Sequence, residues 1–584
     1  MRNKALLLVL PVLVAYLVGV FAPLADLLAP RVLATSLESV LREPGFIAPT
    51  LVYPPISVVA QGKVKLIVLD LPLIGSLWLT LLVAVLASII SLTVAYTALI
   101  PAILYRPVSR IAFLLVLLGL LPYPFIEAYV VQRLFDTRIG LVNVILRKLG
   151  IVVAVKGAMG VLIYQVLVFT PISFVILSSY VYSLPREQLE AALQLGARGT
   201  SLLRLVVKLA KPATIASLAL VFVLSVDDVA GPLVFEQDPS ARSLLAYRAY
   251  TYFLNSVYGG FSYTALGYAI ILLLISVAMF ALSYQSIAET YRGITSGKTQ
   301  AGLLPGLDKR GVFALVAALA ALGPSALLKL LCIAYGFSSE WVASPLPRPG
   351  LHQARLLASS PDILRAALNS YAYTVAALVI VVVIASPAAY SVTRRLVRAS
   401  RVLDAALMST IAIPGIVLAY AYFQFFTSVL GPVSRLSPIS APWLYLVLGY
   451  AVRRTPLYYK PLSALVSSLP VELEEAARNL GAGTTTVYRK VIAPMIISRG
   501  EGIAAFTALS IASEVSLSIT IGGLGGSSGA SHPAPLTNLV ASYISFSGLA
   551  YAGALALALT LLYLAIIPTT IMATRTISLL HRYG

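Results

Sequence analysis

Sulfur and imidazole are scarce in this chain. Its 584 residues include one cysteine, Cys332, and three histidines, His352, His532 and His581. One cysteine excludes disulfides, iron–sulfur ligation and a thiolate zinc site. The histidines lie too far apart in sequence to suggest a metal cluster. Charge is scarce too: 11% of residues are Asp, Glu, Lys or Arg, against roughly 25% in soluble globular domains, which excludes a water-soluble enzyme. Acids are rarest, 22 against 42 bases, for a net charge of +20. No Ser/His/Asp or Cys/His set stands out, so no catalytic residues are expected. The nearest approach to a phosphate loop, Gly293-Ile294-Thr295-Ser296-Gly297-Lys298-Thr299, is one residue short and follows an apolar run rather than a strand. The chain is therefore expected to bind no nucleotide and no other cofactor.

Apolar length is what the chain has in abundance. With 59% hydrophobic residues and a mean hydropathy of +0.93, disorder is excluded. Runs long enough to cross a bilayer fall at about 5–23, 73–102, 111–132, 157–182, 212–235 and 263–288. Six more follow at about 311–336, 366–392, 403–428, 441–466, 494–520 and 548–573. Helices are expected because such runs satisfy their own backbone hydrogen bonds, whereas two-residue alternation, the mark of a barrel, is weak. The fold class is thus all-α integral membrane, with about 12 transmembrane helices. The first run, Ala5 to Ala22, is long for a signal peptide and lacks a clean cleavage site, so it is read as a retained span. The stretches 24–71 and 337–365 read as extramembrane loops.

The surplus of bases speaks for membrane orientation and anionic headgroups rather than for nucleic acid. Arg106, Arg110, Arg186, Arg198, Arg204, Lys208, Lys211, Arg394, Arg395, Arg398, Arg401, Arg478, Arg489, Lys490 and Arg575 all fall on one side by parity. Lys4, Arg292, Lys298, Lys309 and Arg310 join them. That side is expected to be the cytoplasm, with both termini inside and the chain in the cell membrane.

An internal repeat is the strongest signal. Ser183-Leu184-Pro185-Arg186-Glu187-Gln188-Leu189-Glu190-Ala191-Ala192 recurs 285 residues later as Ser468-Leu469-Pro470-Val471-Glu472-Leu473-Glu474-Glu475-Ala476-Ala477. The match continues from Leu195-Gly196-Ala197 to Leu480-Gly481-Ala482, and Thr170-Pro171 precedes one copy as Thr455-Pro456 precedes the other. Six spans lie between the copies, so both face the same side and the halves are parallel repeats. Each copy has helix formers with acids in its first turn, then a glycine that permits a backbone turn, then a basic helical stretch. The expected shape is a helix–glycine–helix elbow, and the identities kept there suggest that both elbows meet the same kind of partner.

At these residues the chain resembles the membrane subunits of binding-protein-dependent ABC importers. Their EAA loop is matched by Glu190-Ala191-Ala192, Gly196 and Val206, and by Glu475-Ala476-Ala477, Gly481, Val491 and Pro494. Valine replaces the usual isoleucine in both copies, Lys208 and Ala493 replace a leucine, and Leu209 stands where a proline is usual, with Pro212 three residues later. The resemblance covers roughly 72–290 and 366–575 and implies a MetI-like permease fold. It makes residues 1–290 and 311–584 two fused permease domains of about six spans each, joined by a cytoplasmic linker at 291–310. It further implies that each elbow is a coupling helix. Glu187, Glu190, Ala191, Ala192, Gly196, Ala197, Glu472, Glu475, Ala476, Ala477, Gly481 and Ala482 would then meet two ATP-binding-cassette ATPase subunits encoded elsewhere. ATP would be used by those partners, and an extracytoplasmic solute-binding protein would deliver the solute. The run Ile413-Pro414-Gly415-Ile416-Val417-Leu418 and Tyr450-Ala451-Val452-Arg453-Arg454 look most like the ferric-iron permeases. Thiamine, aminoethylphosphonate, polyamine and sugar are the alternative solutes.

Charges inside apolar runs are costly unless they face protein or water. Asp227, Asp228, Arg453, Arg454 and Glu514 are such residues and are candidates for lining the pathway. The competing expectation is structural ion pairing, for instance Arg454 with an acid of the eleventh span. Gly522-Gly523-Leu524-Gly525-Gly526-Ser527-Ser528-Gly529 reads as a loop. An ion-gradient-driven secondary transporter, using Asp227, Asp228 and Glu514 to bind the coupling ion, is the rival function.

Overall fold

The computed structural model describes residues 2–48, 56–61, 64–197, 199–259, 262–296, 302–304, 306, 308–339, 341, 344–431, 434–524, 534–546 and 551–583. Part of the phosphate-loop-like segment (297–299), Arg198 and the glycine-rich run beyond Leu524 lie outside them. Among the described residues, eight helices are long and apolar enough to cross a membrane, and ten if each of two bent helix pairs counts as one span.

In the first half the helices used below are α1 (Leu7–Leu27), α2 (Pro30–Leu41), α3 (Ser76–Leu104), α4 (Arg106–Gly119), α5 (Ile126–Leu134), α6 (Gly157–Val181), α7 (Arg186–Gln194), α8 (Thr200–Leu209), α9 (Lys211–Asp227) and α10 (Tyr263–Ser296). In the second half they are α11 (Lys309–Gly336), α12 (His352–Ser359), α13 (Pro361–Thr393), α14 (Ser400–Ser409), α15 (Gly415–Leu430) and α16 (Pro442–Ser467). The chain continues with α17 (Glu472–Asn479), α18 (Thr484–Val487), α19 (Ala493–Arg499), α20 (Glu501–Ala512) and α21 (Ala552–Tyr583). The offset of 285 carries from sequence into structure: Ser76 and Pro361 begin α3 and α13, and Gly157 and Pro442 begin α6 and α16.

Two of the expected runs take other forms. Residues 111–132 fall into α4 and α5, separated by a loop that holds Pro122 and Pro124. Proline there removes donors and fixes φ, so one continuous helix cannot form. Residues 441–466 do form one helix, α16, but it carries Arg453, Arg454 and Lys460 and is not among the eight. The bent pairs are α8 with α9, at 79°, and the run from Ser400 to Ala412 with α15, at 102°. The second bend falls at Ile413-Pro414, where the residue before proline is driven out of the helical region.

The expectation of an all-α chain needs correction, because a three-stranded sheet stands at the starts of α3 and α6. Strands β1 (Ile56–Gln61) and β2 (Val64–Leu69) pair antiparallel, and β2 pairs parallel with β3 (Ile151–Val155) from Lys65–Ile151 to Leu69–Val155. These segments are rich in β-branched residues, which suit a pleated, half-buried surface. Asn143 closes the outer edge of β3: its Nδ2 donates to the Val153 carbonyl (2.8 Å) and its Oδ1 accepts from the Val153 amide (2.7 Å). Ser240 then ties the sheet to α6, donating to Asp70 (2.7 Å) and accepting from the Ala158 amide (2.8 Å). The stretch 24–71, read as a loop, also contains α2, which packs against α10; α12 stands in the same relation to α21.

The halves exchange their first helices. α1 packs on α13, α15 and α16 of the second half, while α11 packs on α3, α4, α5 and α6 of the first. Tyr16 donates to the Leu407 carbonyl (3.1 Å), and Tyr422 donates to the Gly19 carbonyl (2.6 Å). On the other side Lys329 of α11 forms an ion pair with Glu127 of α5, both almost completely buried. The start of α11 is pinned as well. Asp308 caps it, accepting from the Gly311 amide (2.6 Å) and the Tyr105 hydroxyl (3.0 Å). These two bonds, the amide foremost, hold the Asp308 carboxyl below the usual aspartate range. The resulting contribution is present above that usual range and is lost as pH falls through the lowered value.

Breaking the Lys329–Glu127 pair from one side leaves an uncompensated charge in the core. Lys329→Met is expected to cost about 3–5 kcal/mol, whereas Lys329→Met with Glu127→Leu recovers most of the loss. Unfolding midpoints of the three proteins in lipid nanodiscs, followed by circular dichroism, check this.

Candidate functional site

Each elbow is shaped by one glycine in the left-handed region. Gly196 has φ +84 and Gly481 φ +85, and a β-carbon at either would meet nothing within 4 Å. Backbone conformation rather than space therefore demands glycine there. The bonds around each are the same. At the end of α7 the Ala197 amide donates to the Ala192 carbonyl (2.9 Å) and the Gly196 amide to Leu193 (3.0 Å). At the end of α17 Ala482 donates to Ala477 (3.0 Å) and Gly481 to Arg478 (2.9 Å). This crossed pair is a Schellman cap. It explains why alanines recur on both sides of the glycine: Ala192 faces Ala197 and Ala477 faces Ala482 across the cap. Glu187, Glu472 and Glu475 are exposed, as are Ala191 and Ala476, and Glu190 is paired with Arg186 one turn away.

Two further features of the elbows lie outside the candidate residues. Leu195 and Leu480, the residues just before the glycines, are 89% and 90% exposed, the most exposed large apolar side chains described. Their recurrence at the same offset within a polar loop is the signal that could have found them. Glu474 is buried instead: it accepts from Arg394 Nε (2.7 Å) and from the Tyr390 hydroxyl (2.8 Å), and Arg394 also donates to the Leu469 carbonyl (2.9 Å). The matching residue of the first elbow is Leu189, buried among apolar neighbours of α3, α4 and α8. One elbow is thus seated by charge and the other by apolar packing. Linker residues support the first elbow's base, with the Leu303 amide donating to Ile103 (3.0 Å) and the Leu304 amide to Leu104 (2.7 Å).

The intramembrane charges converge on the boundary between the halves. Arg453 of α16 forms ion pairs with Asp227, the last residue of α9, and with Glu514, in the break after α20. Its Nε donates to the Ile413 carbonyl (3.3 Å). Asp227 accepts from the Gly415 amide (3.0 Å), and Glu514 from the Leu517 amide (2.9 Å). Three helix breaks meet here, and a β-carbon on Gly415 would fall 2.6 Å from Ser516 Cβ and 2.7 Å from Arg453 Nη1. The expected ion pair of Arg454 with an eleventh-span acid is corrected: Arg453 makes it, one residue earlier and about 100° around the helix. Asp228 stands apart, accepting from Gln165 (2.9 Å) and from the Ala230 amide (3.0 Å).

Residues 86–287 match the family described as binding-protein-dependent transport system inner membrane component. Over that stretch, about a third of its length, the chain is similar to this family of permeases. As a permease component it is a multi-pass membrane protein and is not itself an ATPase. It is 24% identical over 343 residues to a putative ferric transport system permease protein of Haemophilus influenzae, covering 58% of this chain and 52% of that one. It is equally similar to a ferric transport system permease protein of Actinobacillus pleuropneumoniae, over 58% and 48% of the two chains. A trehalose transport system permease protein of Mycobacterium tuberculosis is 32% identical over 130 residues, 22% of this chain and 44% of that one. The permease spans about half the length of the ferric relatives it matches.

Replacing either elbow glycine by alanine places a β-carbon in the left-handed region at about 1–2 kcal/mol. Gly196→Ala and Gly481→Ala are each expected to loosen one cap without unfolding the bundle. Hydrogen exchange should show the Ala197 or Ala482 amide exchanging faster by roughly that free energy, with amides of α3 and α13 unchanged.

Proposed function

We propose that this permease is the transmembrane subunit of an ATP-driven uptake system, formed by two fused domains, 1–290 and 311–584, joined by the linker 291–310. The reading has twelve crossings, with α4 and α5 together as one and α16 as the other completing the ten apolar spans. The excess of bases on one side puts both termini and both elbows in the cytoplasm. Two ATP-binding-cassette subunits dock there, and a solute-binding protein delivers its cargo to the opposite face.

One observation carries this: two elbows, 285 residues apart, close with the same crossed bonds and present the same exposed leucine, Leu195 or Leu480. An exposed leucine beside a rigid cap is a docking knob, because apolar contact rewards burial and the cap keeps the knob in place. Glu187, Glu190, Glu472 and Glu475 surround the knobs and supply polar contacts to the partner. Closure of an ATP-bound dimer moves both elbows, and the helices continuous with them switch access to the pathway. Asp227, Asp228, Arg453, Arg454 and Glu514 lie beside that pathway.

Ferric iron is the solute favoured by the names of two relatives; thiamine, aminoethylphosphonate, polyamine and sugar follow. The rival ion-gradient mechanism needs a carboxylate open to its coupling ion. Asp227 and Glu514 are committed to Arg453, and Asp228 to Gln165 and backbone amides, so this arrangement favours the ATP-driven reading.

Leu195→Cys and Leu480→Cys, each in a Cys332→Ser background, test the docking. A thiol crosslinker applied to membranes of the native host is expected to join each variant to a nucleotide-hydrolysing subunit. Failure of both positions to capture one, with uptake abolished by an uncoupler, overturns the proposal.

A further inference from the structure

The two helices that precede the elbows differ in charge. In α16 no residue from Tyr445 to Val466 is exposed; of its half-buried positions, 453, 454, 457, 460, 461 and 464 share one helical face, while 448 and 463 lie off it and 465 at its edge. That face carries Arg453, Arg454 and Lys460. The matching positions of α6 include Val168, Ile172 and Val175. One repeat therefore presents an apolar stripe and the other a basic one.

Two of the three cations touch carboxylate partners. Arg453 holds Asp227 and Glu514, and Lys460 reaches both oxygens of Asp404 (2.8 and 3.0 Å). Arg454 has no hydrogen bond or ion pair among the described residues, and its Nε is buried without a partner. The acids of the cluster, Asp227 and Glu514, already have a partner in Arg453, and Asp228, which stands apart, has its own. A guanidinium left open at this depth is costly unless it faces water or a ligand. Its planar fork fits a carboxylate, phosphonate or phosphate oxygen pair.

We infer that Arg454 is the seat for an anionic group of the transported solute, either a small oxyanion or the ligand shell of a negatively charged metal chelate. The inference rests on the permease reading above and sharpens it: a metal cargo crosses as an anionic complex and not as a bare cation, since the described carboxylates of the cluster are all engaged. Arg454 binds the anion, while Arg453 and Lys460 stay on their own carboxylates.

Phenylglyoxal, which modifies accessible guanidinium groups, tests this on the wild-type full chain in lipid nanodiscs, with each arginine read by mass spectrometry. Arg454 is expected to label about tenfold faster than Arg453, the difference expected for a guanidinium freed from its charged hydrogen bonds. Inorganic phosphate or ferric citrate should slow labelling of Arg454 several-fold, and trehalose should not. Protection by phosphate identifies a small oxyanion, and protection by ferric citrate alone identifies an anionic chelate. Equal labelling of Arg453 and Arg454, protection by trehalose, or no protection by either anion overturns the inference; Arg454 is then only a distant counter-charge for the cluster. The labelling needs no ATPase, so it remains readable if docking at the elbows fails. If docking holds, Arg454→Gln should abolish uptake and Arg454→Lys should restore part of it, with elbow crosslinking intact in both.

Discussion

Charge that cannot leave hydrocarbon must find its opposite inside it, and in this molecule it finds it across the boundary between two repeats. Arg453 reaches from the second half to Asp227 of the first, and Lys329 reaches from the second half to Glu127 of the first. In water such pairs contribute little; in a core, removing one partner strands the other. The remaining arrangement follows from where these pairs can form. Three helices break at Asp227, Ile413-Pro414 and Glu514 so that backbone amides and a carbonyl can complete the cluster around one guanidinium. Gly415 is small because the cluster leaves no room for a side chain.

The repeat was legible from the chain alone because its signal is local. Schellman caps need a glycine and small flanking residues within six positions, so Ala191-Ala192, Gly196 and Ala197 announce their geometry before any tertiary contact is known. Apolar run length likewise marks α3, α6, α10, α11, α13 and α21. What depended on tertiary placement was harder to read. The choice between Arg453 and Arg454 as the cluster's cation is a rotation of about 100° on one helix, decided by which side of α16 faces α9. Glu474 looks like its exposed neighbours Glu472 and Glu475 until α13 brings Arg394 and Tyr390 against it. The sheet leaves little trace in the sequence because β1, β2 and β3 are short, and β3 lies more than eighty residues beyond the strand it pairs with.

Symmetry in this permease belongs to the backbone and is broken by the side chains. The elbows share their caps to within a tenth of an ångström in bond length, yet one is seated through Leu189 and the other through Glu474. The helices leading to them match in position but differ in polarity, Val168 against Arg453 and Val175 against Lys460. A gene carrying both copies can let each drift separately, so the backbone geometry is kept at the caps while side chains diverge along the helices that lead to them.

The swapped position of the outer helices bears on how the protein is made. Membrane chains emerge from the ribosome N-terminus first and domains commonly settle in that order. Here the first half lacks one of its walls until residues 309–336 have been synthesised, and α1 has no berth until α13, α15 and α16 arrive. Neither repeat can mature ahead of its sibling, so assembly is interleaved, and the tether near residue 300 guarantees that the two arrive together in equal number.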